Sequence, residues 1–176
     1  MNIDVIDMED PVLGQHRLER LNERGAVSEK LIMYGMSNGV GQMIADIMSI
    51  APVGEIDILR IWGHGRSGGQ SISGGHAGEE GRRLHWTGIS VANVDAMHDQ
   101  LAALAPYFAH GARVELRGCS VAAGADGETL LQRLATLWGV RVQAGTLTQY
   151  STWTGPVHES SPTGQMCSRQ GIEPPP

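Results

Sequence analysis

The fold is decided by the stretch Ile56-Asp57-Ile58-Leu59-Arg60-Ile61-Trp62, which leads directly into Gly63-His64-Gly65. Its apolar and β-branched residues are typical of a buried strand. A second run, residues 113–117, leads in the same way into Gly118-Cys119-Ser120. Neighbouring parallel strands end at one edge of a sheet, where open α/β sheets place their sites. The sequence therefore predicts that His64 and Cys119 meet at such an edge.

Apolar runs and helical spacings alternate along the rest of the chain. Predicted strands cover residues 30–34, 56–62, 113–117 and 140–144, and predicted helices cover residues 40–48, 91–109 and 125–138. Gly139 stands where a glycine ends a helix. Because strands joined by helices form parallel sheets covered on both faces, we expect an α/β fold, a three-layer sandwich with a mostly parallel sheet.

This alternation divides the chain into three parts. Residues 1–29 are a lead-in segment of mixed character, residues 30–146 form the core, and residues 147–176 are a turn-rich C-terminal segment. The last part ends in three prolines that should fray.

Charge and composition exclude several classes of function. The 176 residues carry a net charge of −6 with Lys30 as the single lysine, which argues against nucleic-acid binding. The first ten residues are acidic where a signal peptide would be basic, and no apolar run approaches the roughly 20 residues of a spanning helix. We expect no membrane partner, and a location in the cytoplasm or export without a cleaved signal peptide. The oligomeric state is not indicated.

The two cysteines, Cys119 and Cys167, lack the partners of a zinc site. His76 and His85 flank Glu79 and Glu80, but this glycine-rich stretch is better explained as a loop. We therefore expect neither a metal nor a cofactor. Nor do the glycines between residues 35 and 41 match a phosphate-binding motif. In the tail, His158 and Glu159 lie near Cys167, which we interpret as an incidental thiol.

Cys119 and His64 have the chemistry of a catalytic dyad. An imidazole activates a thiol by taking its proton or by lowering its pKa. The flanking glycines let the backbone approach a substrate, and the amides of Gly65 and Cys119 are the expected oxyanion donors. The alternative is plain: a lone cysteine beside a strand is often an inert core residue, and a histidine in a glycine-rich loop is often only solvated.

Together, the strand ending in Gly63-His64-Gly65 and the segment Leu116-Arg117-Gly118-Cys119-Ser120 resemble the caspase-like cysteine peptidases, the superfamily of caspases, metacaspases, gingipains, legumains and separases. The second segment looks most like the separase and CHAT branch, and like the caspase-like domain at the start of some large bacterial surface adhesins. The resemblance extends from about Leu31 to Thr146.

This resemblance implies a caspase-like fold, with Cys119 as nucleophile, His64 as general base or proton donor, and Gly65 donating to the oxyanion. It also implies that the residue two before the cysteine lines the pocket for the substrate side chain preceding the cut. That residue is Arg117, which favours an acidic substrate side chain. Strand alternation equally turns Arg117 outward, and we expect it to face solvent.

The expected function is that of a cysteine endopeptidase, which hydrolyses peptide bonds of a protein or peptide substrate through an acyl-enzyme. Two alternatives stay open. One is a catalytically silent caspase-like domain that acts as a binding or assembly module, since a fold does not fix a function. The other is a peptidase that serves as an effector or toxin.

Overall fold

A computed structural model of the chain describes residues 1–8, 10–23, 27–33, 39–72, 88–148 and 156–170. Its strands are β1 (Asn2–Asp7), β2 (Glu29–Met33), β3 (Ile56–Trp62), β4 (Gly65–Arg66), β5 (Gly69–Ser71), β6 (Gly88–Ser90), β7 (Phe108–Leu116), β8 (Arg141–Gly145), β9 (Pro156–Ser160) and β10 (Met166–Gln170). Its helices are α1 (Pro11–Glu23), α2 (Gly39–Ile50), α3 (His98–Ala102) and α4 (Gly124–Trp138).

Seven of these strands form one central sheet in the order β10-β9-β8-β7-β3-β1-β2. Neighbouring strands pair in parallel along the series β2, β1, β3, β7 and β8. Strands β9 and β10 are added antiparallel at the β8 end. Helices flank this sheet, and the α/β class with a three-layer sandwich and a mostly parallel sheet is confirmed. A second sheet of three short strands, β4-β5-β6, follows the end of β3.

One face of the central sheet forms the main apolar core. Its inner strands contribute six fully buried side chains, namely Ile3, Val5, Leu59, Ile61, Val114 and Leu116. Helices α2 and α4 contribute buried side chains to the same cluster, among them Met43 and Leu134. Burial of each such aliphatic side chain stabilises the fold by about 1.5–3 kcal/mol. This apolar core therefore fixes the inner strands, whose ends carry the turns of His64 and Cys119.

The predicted helix over residues 91–109 is wrong. Residues 91–97 form turns, α3 is only five residues long, and residue 108 already begins β7. The side chain of Asn93 accepts a hydrogen bond from the Ser90 amide at 2.7 Å and donates to the Gly88 carbonyl at 2.9 Å, which closes a turn. Pro106 then lies in a one-turn 3-10 helix and has no amide hydrogen to extend it.

The other predicted elements are confirmed, most of them with shifted ends, and β7 begins five residues before the strand predicted over residues 113–117. The strand over residues 56–62 agrees in full with β3, and the helices over residues 40–48 and 125–138 correspond to α2 and α4. Gly139 caps α4 with a left-handed φ of 68°, as its position predicts.

Both flanking segments contribute strands to the central sheet. The lead-in segment supplies β1, α1 and the first residue of β2, and the C-terminal segment supplies β9 and β10. Strand β1 lies inside the sheet, between β2 and β3. The terminal prolines lie outside the described residues. Among the helices that are described, none is long and apolar enough to cross a membrane.

Candidate active site

The ends of β3 and β7 bring the turn of His64 beside the turn of Cys119. The two strands are parallel neighbours in which Ile61 pairs with Leu116, and the Arg117 amide donates to the Ile61 carbonyl at 2.8 Å. Leu116 follows Ile61 by 55 positions, and Cys119 follows His64 by the same 55. The predicted placement of both residues at one edge of neighbouring parallel strands is confirmed.

Two glycines let these turns approach each other. A Cβ atom added at Gly65 would lie 2.6 Å from the amide nitrogen and the carbonyl oxygen of Cys119. A Cβ atom added at Gly118 would lie 2.8 Å from the Gly65 Cα and the His64 carbonyl oxygen. These distances are shorter than the contacts that Cβ atoms make in proteins, so the close approach of the two backbones depends on glycine at both positions. The glycines flanking the dyad therefore set its geometry.

The buried side chain of Gln70 on β5 connects the same two turns. Its Oε1 accepts a hydrogen bond from the Gly118 amide at 2.9 Å. Its Nε2 donates to the carbonyls of Ser71 at 3.0 Å and of His64 at 3.4 Å. Gln70 is fully buried, so it fixes the turns inside the protein. We did not predict this residue from the sequence, because its role depends on how β5 folds back onto β3.

Backbone hydrogen bonds narrow the choice of oxyanion donor. The amides of Gly118 and Ser120 are already bonded, to Gln70 and to the Leu147 carbonyl. Gly65 and Gln70 lie opposite each other in the antiparallel pair of β4 and β5. The hydrogen bond beside them runs from the Ser71 amide to the His64 carbonyl at 2.8 Å, so Gly65 and Gln70 themselves are not hydrogen-bonded to each other. In such a non-hydrogen-bonded pair the Gly65 amide points away from β5. The assignment of the Gly65 and Cys119 amides as donors stays a prediction.

The start of α1 adds a carboxylate that the sequence analysis missed. Asp10 caps this helix: its Oδ1 accepts the Leu13 amide at 3.1 Å, and Pro11 begins the first turn. Its Oδ2 lies 3.4 Å from Nε2 of His64. The pKa of Asp10 is below its ordinary value of 3.8, first because of the Leu13 amide, with slight burial opposing and His64 adding to the shift. An Asp-Pro pair before a helix was the available signal.

Further along α1, Arg17 brings a positive charge to the site. Its Nη2 donates to the Gly63 carbonyl at 3.2 Å, one residue before His64. Burial lowers the pKa of Arg17, and the negative charges of Cys119, Asp7 and Asp10 oppose that shift. The side chain thus lies within electrostatic reach of the thiol. No pattern in the sequence distinguishes Arg17 from the other charged residues of this helix.

The expected solvent-facing orientation of Arg117 is wrong. Its exposed fraction is 6%, and its Nε donates to Glu115 at 3.0 Å. The guanidinium carbon also lies 4.9 Å from the centre of the Trp62 ring, a cation–π contact. Burial lowers the pKa of Arg117 to about 10, with Glu115 opposing it, so the group stays charged at neutral pH. Because Glu115 already balances that charge, Arg117 is a weaker candidate for binding an acidic substrate side chain.

Glu115 is the centre of a buried ionic cluster on the face of the central sheet opposite the main apolar core. It also accepts hydrogen bonds from Nε of Arg113 at 2.7 Å and from Nε of Arg60 at 3.2 Å. Burial acts to raise the pKa of Glu115, but Arg117, Arg60 and Arg113 outweigh it and hold that pKa below its ordinary value of 4.5. Asp4 extends the cluster, 3.3 Å from Nη1 of Arg60. The alternating charges of these strands therefore pair with one another.

Other candidates from the sequence lie away from the dyad. Cys167 is exposed on β10, opposite Glu159 on β9. The stretch with His76, His85, Glu79 and Glu80 lies outside the described residues. Within the part of the chain that the structure describes, no three or more His, Cys, Asp or Glu residues are grouped as metal ligands.

Comparison with known families gives one match. The sequence model of a family described as a domain of unknown function, DUF4347, matches residues 18–155. This range includes His64, Gln70 and Cys119, and it begins after Asp10 and Arg17. No curated protein matches the chain.

Proposed function

The chain belongs to the DUF4347 family, and we propose that it is a cysteine endopeptidase in which His64 and Cys119 form the catalytic dyad. The observation that carries the proposal is the backbone contact between Gly65 and Cys119, which keeps the turns of the base and the nucleophile side by side. A core residue does not need this arrangement. A nucleophile and its base do, because the proton must pass directly between them.

The reaction begins with the thiol of Cys119. His64 takes its proton, and the thiolate sulfur attacks the carbonyl carbon of the scissile peptide bond. The carbonyl oxygen becomes an oxyanion, which the amides of Gly65 and Cys119 stabilise by hydrogen bonding. His64 then gives its proton to the leaving nitrogen. The carbon–nitrogen bond breaks, the amine product departs, and the acyl group stays on Cys119 as a thioester.

Hydrolysis of the thioester completes the cycle. His64 takes a proton from a water molecule, whose oxygen attacks the thioester carbonyl in the same oxyanion site. The carbon–sulfur bond breaks, and the thiolate of Cys119 recovers the proton from His64. The second product is a carboxylic acid, and the enzyme returns to its starting state with no external reductant or cofactor.

The resemblance of the two turns to caspase-like peptidases supports the same assignment. In chain order, an apolar strand precedes the histidine and a later apolar strand precedes the cysteine. Strands β3 and β7 are parallel neighbours, which is the arrangement that this resemblance requires. We therefore propose a protein or peptide as the substrate.

A peptide-library cleavage assay tests this proposal. We expect the wild-type chain to cleave a subset of peptides, and Cys119→Ala and His64→Ala to lose at least about a thousandfold in kcat/KM. Cys167→Ser is the matched control, since this thiol is exposed on β10, and it should cleave like the wild type. Equal cleavage by the wild type and Cys119→Ala would contradict the proposal and favour a binding or assembly module.

A further inference from the structure

We propose that helix α1 completes the site, with Asp10 acting as a positioning residue for His64 and Arg17 stabilising the thiolate of Cys119. This inference rests on the proposed peptidase function and adds two residues to it. Both residues precede the segment that matches the DUF4347 family.

First, Asp10 presents a fixed carboxylate to the imidazole. One oxygen accepts the Leu13 amide at 3.1 Å, and the Asp10 carbonyl accepts the Gly14 amide at 2.9 Å. The other carboxylate oxygen faces Nε2 of His64 at 3.4 Å. This contact assigns the proton of the neutral ring to Nε2 and the lone pair to Nδ1, the nitrogen that accepts the thiol proton. The negative charge also stabilises the imidazolium once the thiol has ionised.

Second, Arg17 connects the same helix to the residue before His64. It stands seven positions after Asp10, which is about two helical turns and places both residues on one face of α1. Its Nη2 donates to the Gly63 carbonyl at 3.2 Å. Since Gly63 directly precedes His64, this hydrogen bond holds the guanidinium at the turn of the dyad, where its positive charge can stabilise a thiolate formed at Cys119.

Third, the helix itself is held in place. Gly14 is its buried residue, and an added Cβ atom there would lie 3.0 Å from the Asp7 carbonyl oxygen. Asp7, at the end of β1, accepts a hydrogen bond from the Ser71 hydroxyl at 2.8 Å. Helix α1 is thus packed against the sheet edge that carries the dyad. Because α1 is fixed, the carboxylate of Asp10 stays in position to stabilise the imidazolium, and the guanidinium of Arg17 stays in position to stabilise the thiolate.

The test is the rate at which iodoacetamide alkylates Cys119, followed by intact-mass spectrometry in a Cys167→Ser background. We expect Asp10→Asn and Arg17→Gln each to slow alkylation near neutral pH about tenfold, because each removes a charge that favours the thiolate–imidazolium pair. In peptide cleavage the same variants should lower kcat by a similar factor and leave KM unchanged. Arg17→Lys, which keeps the charge, should retain more of both rates than Arg17→Gln.

A stability measurement and a control variant distinguish these electrostatic roles of Asp10 and Arg17 from a structural role of α1. Asparagine is as good a helix cap as aspartate, so Asp10→Asn should keep the helix and lower the thermal midpoint only slightly, through the loss of one partly exposed charge. Glu19→Gln removes an exposed carboxylate from the same helix and should change neither rate.

The outcomes distinguish this inference from the proposed function. If the wild type cleaves no peptide but both charge variants slow alkylation, the role of α1 stands and the peptidase assignment fails. If the wild type cleaves peptides and Asp10→Asn and Arg17→Gln keep parental rates of alkylation and turnover, the inference is overturned and the peptidase assignment stands.

Discussion

The side chain of Gln70 accepts a hydrogen bond from the amide of Gly118 at 2.9 Å, within the buried interior. The Nε2 of the Gln70 side chain donates to the carbonyl of His64 at 3.4 Å, on the other side of the site. One residue of the small second sheet thereby sets the distance between the two turns of the dyad. The geometry of the proposed dyad therefore depends on β5 as well as on β3 and β7.

Replacing Gln70 by methionine should weaken both stability and turnover. The variant keeps the volume but removes the buried hydrogen bonds of Gln70 to the Gly118 amide and to the Ser71 carbonyl. We expect the free energy of unfolding, measured by urea denaturation, to fall by about 1–3 kcal/mol, because a buried donor loses its acceptor. We also expect kcat for peptide cleavage to fall at least about tenfold, because small displacements of reacting groups are costly. Gln132→Met, on the exposed face of α4, should change neither quantity. Parental kcat in a folded Gln70→Met protein would contradict a positioning role.

The close contact of Gly65 with Cys119 predicts that position 65 has no room even for the methyl group of alanine. In Gly65→Ala the new methyl group would meet three backbone atoms of the Gly118–Cys119 segment at 2.6 Å. These atoms cannot move aside as a flexible side chain would, so we expect a loss of about 1–3 kcal/mol in stability. Peptide cleavage should fall about a hundredfold or more, since the turns are pushed apart.

Gly111→Asn is the control for this substitution. Gly111 has a φ of 80° with nothing within 4 Å of an added Cβ atom, and asparagine tolerates that conformation. It should keep the parental cleavage rate. A Gly65→Ala protein that cleaves peptides like the wild type would show that the contact does not set the geometry of the dyad.

The ionic cluster around Glu115 predicts how stability responds to acid. Its folded-state pKa lies below the ordinary value of 4.5, because the neighbouring guanidinium groups outweigh burial. A depressed carboxylate pKa stabilises the fold above 4.5, and this contribution disappears as the pH falls through the folded-state pKa. The free energy of unfolding, measured by urea denaturation, should therefore decrease as the pH falls below 4.5.

Glu115→Gln tests this assignment directly. The variant leaves the arginine cluster without its buried carboxylate, and near neutral pH it should lose about 3–5 kcal/mol of stability. It should also show a shallower loss of stability than the wild type below pH 4.5. An unchanged acid dependence would assign that dependence to other carboxylates, Asp10 among them, whose pKa is also depressed.

Arg117→Lys should change stability and leave substrate preference unaltered. Lysine cannot reproduce both the hydrogen bonds to Glu115 and the stacking on Trp62, so we expect a loss of about 1–2 kcal/mol. Because this guanidinium is paired inside the protein, the residues preferred before the cut should stay the same in a peptide library. A changed preference at that position would instead assign Arg117 to the substrate pocket.

Much of the dyad's geometry could be predicted from local sequence. The runs before His64 and Cys119 have the composition of buried strands, and the glycines mark sharp turns at their ends. Since buried parallel strands end at a common edge, two local patterns were enough to place both residues. The spacing of α4 and its capping by Gly139 were equally local.

Most of what failed depended on partners far apart in the chain. Asp10 has a recognisable capping signal, but its contact with His64 requires that α1 pack beside the end of β3. The alternating charges of β7 have the pattern of a solvent-facing surface, yet Arg60 on the adjacent strand converts Glu115 into a paired, buried group. In residues 91–109 the apolar spacing was helical, but the Asn93 side chain closed a turn that the spacing did not reveal.

The interior position of β1 has a consequence for any shortened form of this protein. The family match begins at residue 18, whereas β1 lies between β2 and β3 and is hydrogen-bonded to both. A fragment trimmed to the matched residues would lack this strand and would split the sheet, leaving two unpaired edges that template aggregation. It would also lose Asp10 and Arg17. The smallest unit worth expressing therefore begins ahead of β1, and a protease that removed this stretch would inactivate the domain by dismantling its sheet.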